Sequence, residues 1–114
     1  MKFENTDIWQ RAVKLSTEIY KLGPKIKDYG FKDQLTRSGL SIPSNIAEGF
    51  ERESVKESIN FLRYAKASAG ELYTQLLIGK NVDFLDKDIA TRLMGETKEI
   101  AAILGAIIVK RKNF

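Results

Sequence analysis

Ser41-Ile42-Pro43-Ser44-Asn45-Ile46-Ala47-Glu48-Gly49 reads as helix in every respect but one. Leu35, Gly39, Ile42, Ile46 and Phe50 recur at three- and four-residue steps, which places them on one face of a helix. Gln34, Ser38, Ser41, Asn45, Glu48 and Arg52 recur with the same period on a second face. The exception is Pro43. It has no amide hydrogen to donate, and its ring presses on the carbonyl four residues back, a cost of ~3 kcal/mol in a helix interior. The residue four back is Gly39, which offers no side chain to crowd a bend. The stretch therefore predicts a proline-kinked helix over about Lys32 to Glu48, stopped by Gly49. One face is expected to point inward, the other toward a neighbouring helix or subunit.

Three further helices follow from the same periodicity. The first is predicted from about Asp7 to Leu22, with Ile8, Ala12, Leu15, Ile19 and Leu22 on one face. Asn5 or Thr6 caps it, and Gly23-Pro24 ends it. Lys25 to Gly30 reads as a polar linker. The third opens on Ser54-Val55-Lys56-Glu57, a capping-box pattern, and continues through Val55, Ile59, Leu62, Ala65 or Lys66, Ala69, Leu72 and Leu76 to about Lys80. Asn81 to Leu85 forms a turn. The fourth follows Asp86, an effective N-cap, and runs through Ile89, Leu93, Ile100, Leu104 and Ile107 to about Arg111. No segment alternates with period two. The third and fourth helices, at about 25 residues, would each span ~38 Å, and the first two are nearer ~17 residues. Short connections favour antiparallel neighbours, so the predicted fold is all-α, an antiparallel up-down-up-down four-helix bundle, with residues 1–114 as a single domain.

Composition narrows the chemistry. The 114 residues contain no cysteine and no histidine, which removes thiolate chemistry, the commonest general base and the commonest metal ligand. Bundle di-metal sites draw on Glu-x-x-His pairs, and that pattern cannot form here. Asp83, Asp86 and Asp88 lack the later glycine and glutamate of a calcium loop, and no Gly-rich phosphate loop is present. No enzymatic activity and no cofactor are expected. Neither a membrane-length apolar run nor an N-terminal apolar signal core occurs, which predicts a cytoplasmic protein that meets no membrane. Nineteen Lys and Arg against 15 Asp and Glu give a net charge of +4, a modest basic excess that an oligomer would multiply.

The candidate residues fall into two groups. Arg52, Lys56, Arg63 and Lys66 run along one side of the third helix at helical spacing and form a candidate basic track, interrupted by Glu51, Glu53 and Glu57. Lys110, Arg111 and Lys112 close the fourth helix, where cations complement the helix dipole and equally suit phosphate. A solvated charged face is the simpler reading of both. Trp9, Arg37, Pro43, Asn45, Glu48 and Glu71 are candidates for assembly or structure. Asn45 and Glu48 lie one turn apart, and Glu71 is the expected partner of Arg37. Trp9 suits a subunit-interface anchor. Ser41 and Ser44 flank Pro43 and can bond the carbonyls it leaves free. Aromatics interleaved with Arg11, Arg63 and Lys66 would suit stacked bases, although Trp and Tyr at helical spacing more often belong to a core or interface.

Ile8-Trp9-Gln10-Arg11-Ala12, Gln34-Leu35-Thr36-Arg37-Ser38, the Ser41 to Gly49 string, Arg52 and Phe61 to Leu72 occur in that order. Together they resemble the four-helix bundle proteins encoded in intervening sequences of bacterial 23S ribosomal RNA genes. The accessory variability determinant of diversity-generating retroelements is similar at greater distance. The resemblance covers nearly the whole chain. It implies a homopentamer of bundles around a central channel and no established enzymatic activity. The retroelement relatives further imply a basic surface offered to nucleic acid and to a reverse transcriptase. The expected function is thus a non-enzymatic homo-oligomer that binds RNA or serves a nucleic-acid enzyme, with an oligomeric protein-interaction scaffold as the alternative.

Overall fold

The structure is a computed structural model that describes residues 1–113. Its four helices are α1 (Asp7–Leu22), α2 (Tyr29–Glu51), α3 (Val55–Asn81) and α4 (Lys87–Lys112), with short 3-10 turns at Lys2–Asn5 and Gly23–Lys25. No strand occurs among the described residues. Each helix begins on a side-chain oxygen that accepts a backbone amide. Thr6 takes Trp9 at 3.4 Å and Asp28 takes Phe31 at 2.8 Å. Ser54 takes Glu57 at 3.3 Å, and Asp86 takes Ile89 at 2.9 Å. Each such cap is worth ~1 kcal/mol. Together they fix where the four helices start.

The four apolar faces meet in one core, and the protein is a four-helix bundle measuring 45 × 22 × 22 Å. The 27 residues of α3 at ~1.5 Å each account for its long dimension. Leu15 and Ile19 of α1, Leu35, Ile42 and Ile46 of α2, Leu62, Leu72 and Leu76 of α3, and Leu93, Ile100 and Leu104 of α4 lose essentially all solvent contact. Each contributes about 1.5–3 kcal/mol of transfer free energy. Contacts run in opposite sequence order along paired helices. From α2 to α3, Gly49 meets Leu62, Ser41 bonds Ser68, and Gly79 lies under Phe31. From α1 to α4, Arg11 pairs with Glu96 and Glu18 with Arg92. No described helix is long and apolar enough to cross a membrane.

Several expectations need correction. The second helix is longer than the sequence suggested, because Asp28 caps it and draws Tyr29 and Gly30 into its first turn. Gly49 does not end it. That glycine is buried within the last turns, against Leu62 and the Ser58 carbonyl, where a larger residue would collide. The expected Arg37–Glu71 pair does not form. Arg37 instead faces Asp33 one turn back on its own helix at 3.4 Å, and both side chains are largely exposed, as is Glu71. Val55 and Ile107 were expected on core faces. Val55 is 48% exposed, whereas Ile107 packs partly buried against the core beside the buried Ile108. Between Ala65 and Lys66, Ala65 is the core residue.

The turn between α3 and α4 is built around Gly79. Its carbonyl accepts the amides of Phe84 (2.9 Å) and Leu85 (3.2 Å), while Asp83 adopts a left-handed conformation at φ 63°. This folding-back delivers Leu85 into the core. A Cβ at position 79 would sit 2.5 Å from Phe31 Cζ and 2.8 Å from Leu85 Cδ1, so the close approach requires glycine.

Candidate nucleic-acid interface

The polar stripe of α2 is partly a structural network. Ser41 Oγ and Ser68 Oγ share a hydrogen bond of 2.8 Å between α2 and α3, and Asn45 Nδ2 donates to both the Ser41 hydroxyl and its carbonyl at 2.9 Å. Ser38 and Ser68 are buried, whereas Gln34, Ser44 and Glu48 face solvent. Pro43 is buried inside the continuous helix. The Ser41 hydroxyl is spent on Ser68 and Asn45, so it does not serve the carbonyl that Pro43 leaves free.

The basic residues separate into held and unheld groups. Arg52 does not ride on α3. It is the C-cap residue of α2, pairs with Glu48 at 2.7 Å, and lies 4.6 Å over the ring of Phe61. Lys56, Arg63 and Lys66 project from α3 and are exposed. The Lys66 stem lies across Gly105 of α4, which carries the cation over to the neighbouring helix. Lys110, Arg111 and Lys112 occupy the last turn of α4. The Arg111 guanidinium lies 5.0 Å over Phe50, two residues before Arg52 in α2. The end of α2 therefore receives one stacked arginine from α4, at Phe50, and sends its own C-cap arginine onto Phe61 of α3. Sequence spacing alone could not show this convergence, because it depends on how three helices rotate about their axes.

Among the described residues, no ion pair engages Lys56, Arg63, Lys66, Lys110, Arg111 or Lys112; the arginines that do pair are Arg11, Arg37, Arg52 and Arg92. Arg11, one of the residues considered for base stacking, is instead tied to α4. Its Nε donates to Glu96 at 3.0 Å, and its Nη2 contacts Glu96 and, at 3.6 Å, Glu99. The hydrogen bond to Glu96 raises the Arg11 pKa further above its usual value, against a smaller opposing effect of burial. Among the described residues, no cluster of acids could hold a metal ion.

The aromatic residues are distributed between packing and surface. Trp9 is half-buried, with its ring edge-on to Phe3 at 5.2 Å. Tyr64 remains 57% exposed beside Phe61, at 5.8 Å between ring centres. Tyr20 and Leu40 are about half exposed and border a groove between α1 and α2, above Val13 and Pro43.

The comparisons with known proteins agree with this architecture. A crystal structure of a protein of unknown function from the S23 ribosomal protein family of Bacteroides thetaiotaomicron superposes with a TM-score of 0.86 at 24% identity, covering 89% of this chain and 97% of that one. At that identity the likeness speaks for the fold. No curated protein matches the chain. The family model of the 23S rRNA-intervening sequence protein matches residues 4–106, and the chain belongs to that family.

Proposed function

We infer that this chain is a non-enzymatic, homo-oligomeric bundle that binds RNA through the cations of α3 and of the end of α4. The observation that carries the reading is that Arg63 and Arg111 pair with no carboxylate among the described residues, whereas the other arginines do, and that Lys56, Lys66, Lys110 and Lys112 stand exposed on the same two helices. Unpaired cations release phosphate counterions at no cost in broken ion pairs. Arg111, held 5.0 Å over Phe50, is pre-oriented and loses less freedom on contact.

Assembly is supported by the groove beside Pro43. Tyr20, Leu40 and Val13 offer an apolar strip that a second copy would cover. The family resemblance points to a pentamer, and repetition of the basic excess around a ring would strengthen its field. Trp9 contributes by holding the N-terminal turn, through Phe3, against α1. A reverse transcriptase as protein partner belongs to the same reading for the case of a neighbouring gene.

Filter binding to single-stranded and duplex RNA at ~50 mM salt tests the inference, alongside the mass in solution. Retention of RNA by a species several times heavier than the 12.9 kDa chain is expected. No retention at that salt rejects the RNA reading, and a monomer at micromolar concentration rejects the assembly. RNA-free oligomers would leave the scaffold reading, which the exposed Tyr20 and Leu40 favour.

A further inference from the structure

At one end of the bundle, the start of α1, the end of α2, the start of α3 and the last turns of α4 border an open cleft of about 420 Å³. Its walls are Ile8, Phe50, Val55 and Ile107. Val55, the first residue of α3, spends its apolar side chain on this wall rather than on the core. Thr6 stands at the edge, but its hydroxyl is already committed. It donates to the Phe3 carbonyl at 2.6 Å and accepts the Trp9 amide at 3.4 Å. The walls thus offer a guest no free polar group.

The rim has the opposite character. Lys110 and Arg111 stand there, and among the described residues no carboxylate lines the cleft and neither cation joins an ion pair. The Arg111 guanidinium is held 5.0 Å over the Phe50 ring, and a guanidinium can take a carboxylate through two parallel hydrogen bonds.

These two halves select the guest. A nucleobase would bury ring nitrogens and exocyclic groups against walls that cannot pair them. An alkyl or aryl body leaves nothing unpaired there, and only an anionic head answers the two rim cations. The volume lies in the range of small-molecule sites, ~300–1,000 Å³. We propose that this cleft binds a small amphipathic carboxylate, with its apolar body on Ile8, Phe50, Val55 and Ile107 and its carboxylate on Lys110 and Arg111. The proposal stands apart from RNA binding, although the two share Lys110 and Arg111.

Octanoate, octanol and octylammonium titrated into the full chain, followed by amide chemical shifts and calorimetry, test it. Octanoate is expected to shift Ile8, Val55 and Ile107 and to bind about tenfold or more tightly than octanol, with octylammonium weakest. Lys110→Gln/Arg111→Gln should erase the advantage of octanoate over octanol. Val55→Asp puts a like charge on the wall at an exposed helix start, where an acid is compatible with folding, and should lower octanoate affinity about tenfold. No shifts with octanoate at ~10 mM, shifts centred elsewhere, or equal affinity for octanoate and octanol would each overturn the proposal.

Discussion

Ser41 of α2 and Ser68 of α3 are joined hydroxyl to hydroxyl at 2.8 Å, and Asn45 closes the network by donating to Ser41. This is the polar link between two otherwise apolar helix faces. Ser41→Ala would leave the buried Ser68 hydroxyl and the Asn45 amide short of a partner, at a cost of about 1–3 kcal/mol. Removing both hydroxyls should cost less than the sum of the two single changes, because the second alanine removes the orphan created by the first. Urea denaturation of the two single variants and the double variant reads this directly; strict additivity would mean the bond carries no coupling.

Two glycines of α3 should respond in opposite ways to the same substitution. At Gly79 a new methyl meets Phe31 and Leu85 at sub-contact distance, so Gly79→Ala should destabilise by about 1–3 kcal/mol. At Gly70 a Cβ meets nothing within 4 Å, and Gly70→Ala should stabilise by about 0.5–1 kcal/mol through helix propensity. Thermal unfolding of both variants checks the pair. Equal effects would contradict the packing described for the α3–α4 turn.

The seam between α1 and α4 relies on Arg11 with Glu96 and Arg92 with Glu18. Arg11 and Glu96 are each a little over a quarter exposed, which limits their coupling to roughly 1 kcal/mol. The Arg11 pKa is raised in the folded state, so its contribution is complete below the unfolded value and is lost only as pH rises through the folded one. Both values lie above ordinary alkaline conditions. A double-mutant cycle with Arg11→Gln and Glu96→Gln should therefore return the same coupling at pH 7 and at about pH 10. A coupling that fades over that interval would show that the guanidinium contact is not the source.

Pro43 lies buried within α2 and beside the groove that carries Tyr20 and Leu40. If the proline shapes the surface a second copy meets, Pro43→Ala should change the mass seen by light scattering while leaving circular dichroism at 222 nm nearly constant. An unaltered mass would remove Pro43 from the assembly account.

The starts of α1, α3 and α4 were readable from the sequence because Thr6, Ser54 and Asp86 are local signals that act on their own next turn. The ends of α2 were not. Glycine is a common stop, yet Gly30 follows a strong cap and Gly49 serves close packing on Leu62, and neither role is local. Periodicity placed Arg37 and Glu71 on helical faces but carried no information about rotation, so a pair was expected where each side chain points to solvent. The cations of the candidate interface could be named from the sequence. Their convergence on Phe50 and Phe61 could not, because those stacks join separate helices.

The central claim is that unpaired cations of α3 and α4 neutralise RNA phosphates. Its most direct measurement is the salt dependence of RNA affinity for the native chain and for Lys110→Gln/Arg111→Gln/Lys112→Gln. The account predicts that log affinity falls linearly with log salt and that the variant's slope is shallower by about 2 for single-stranded RNA, from ~0.7 per lost phosphate contact. Identical slopes, or an affinity indifferent to salt, would contradict it.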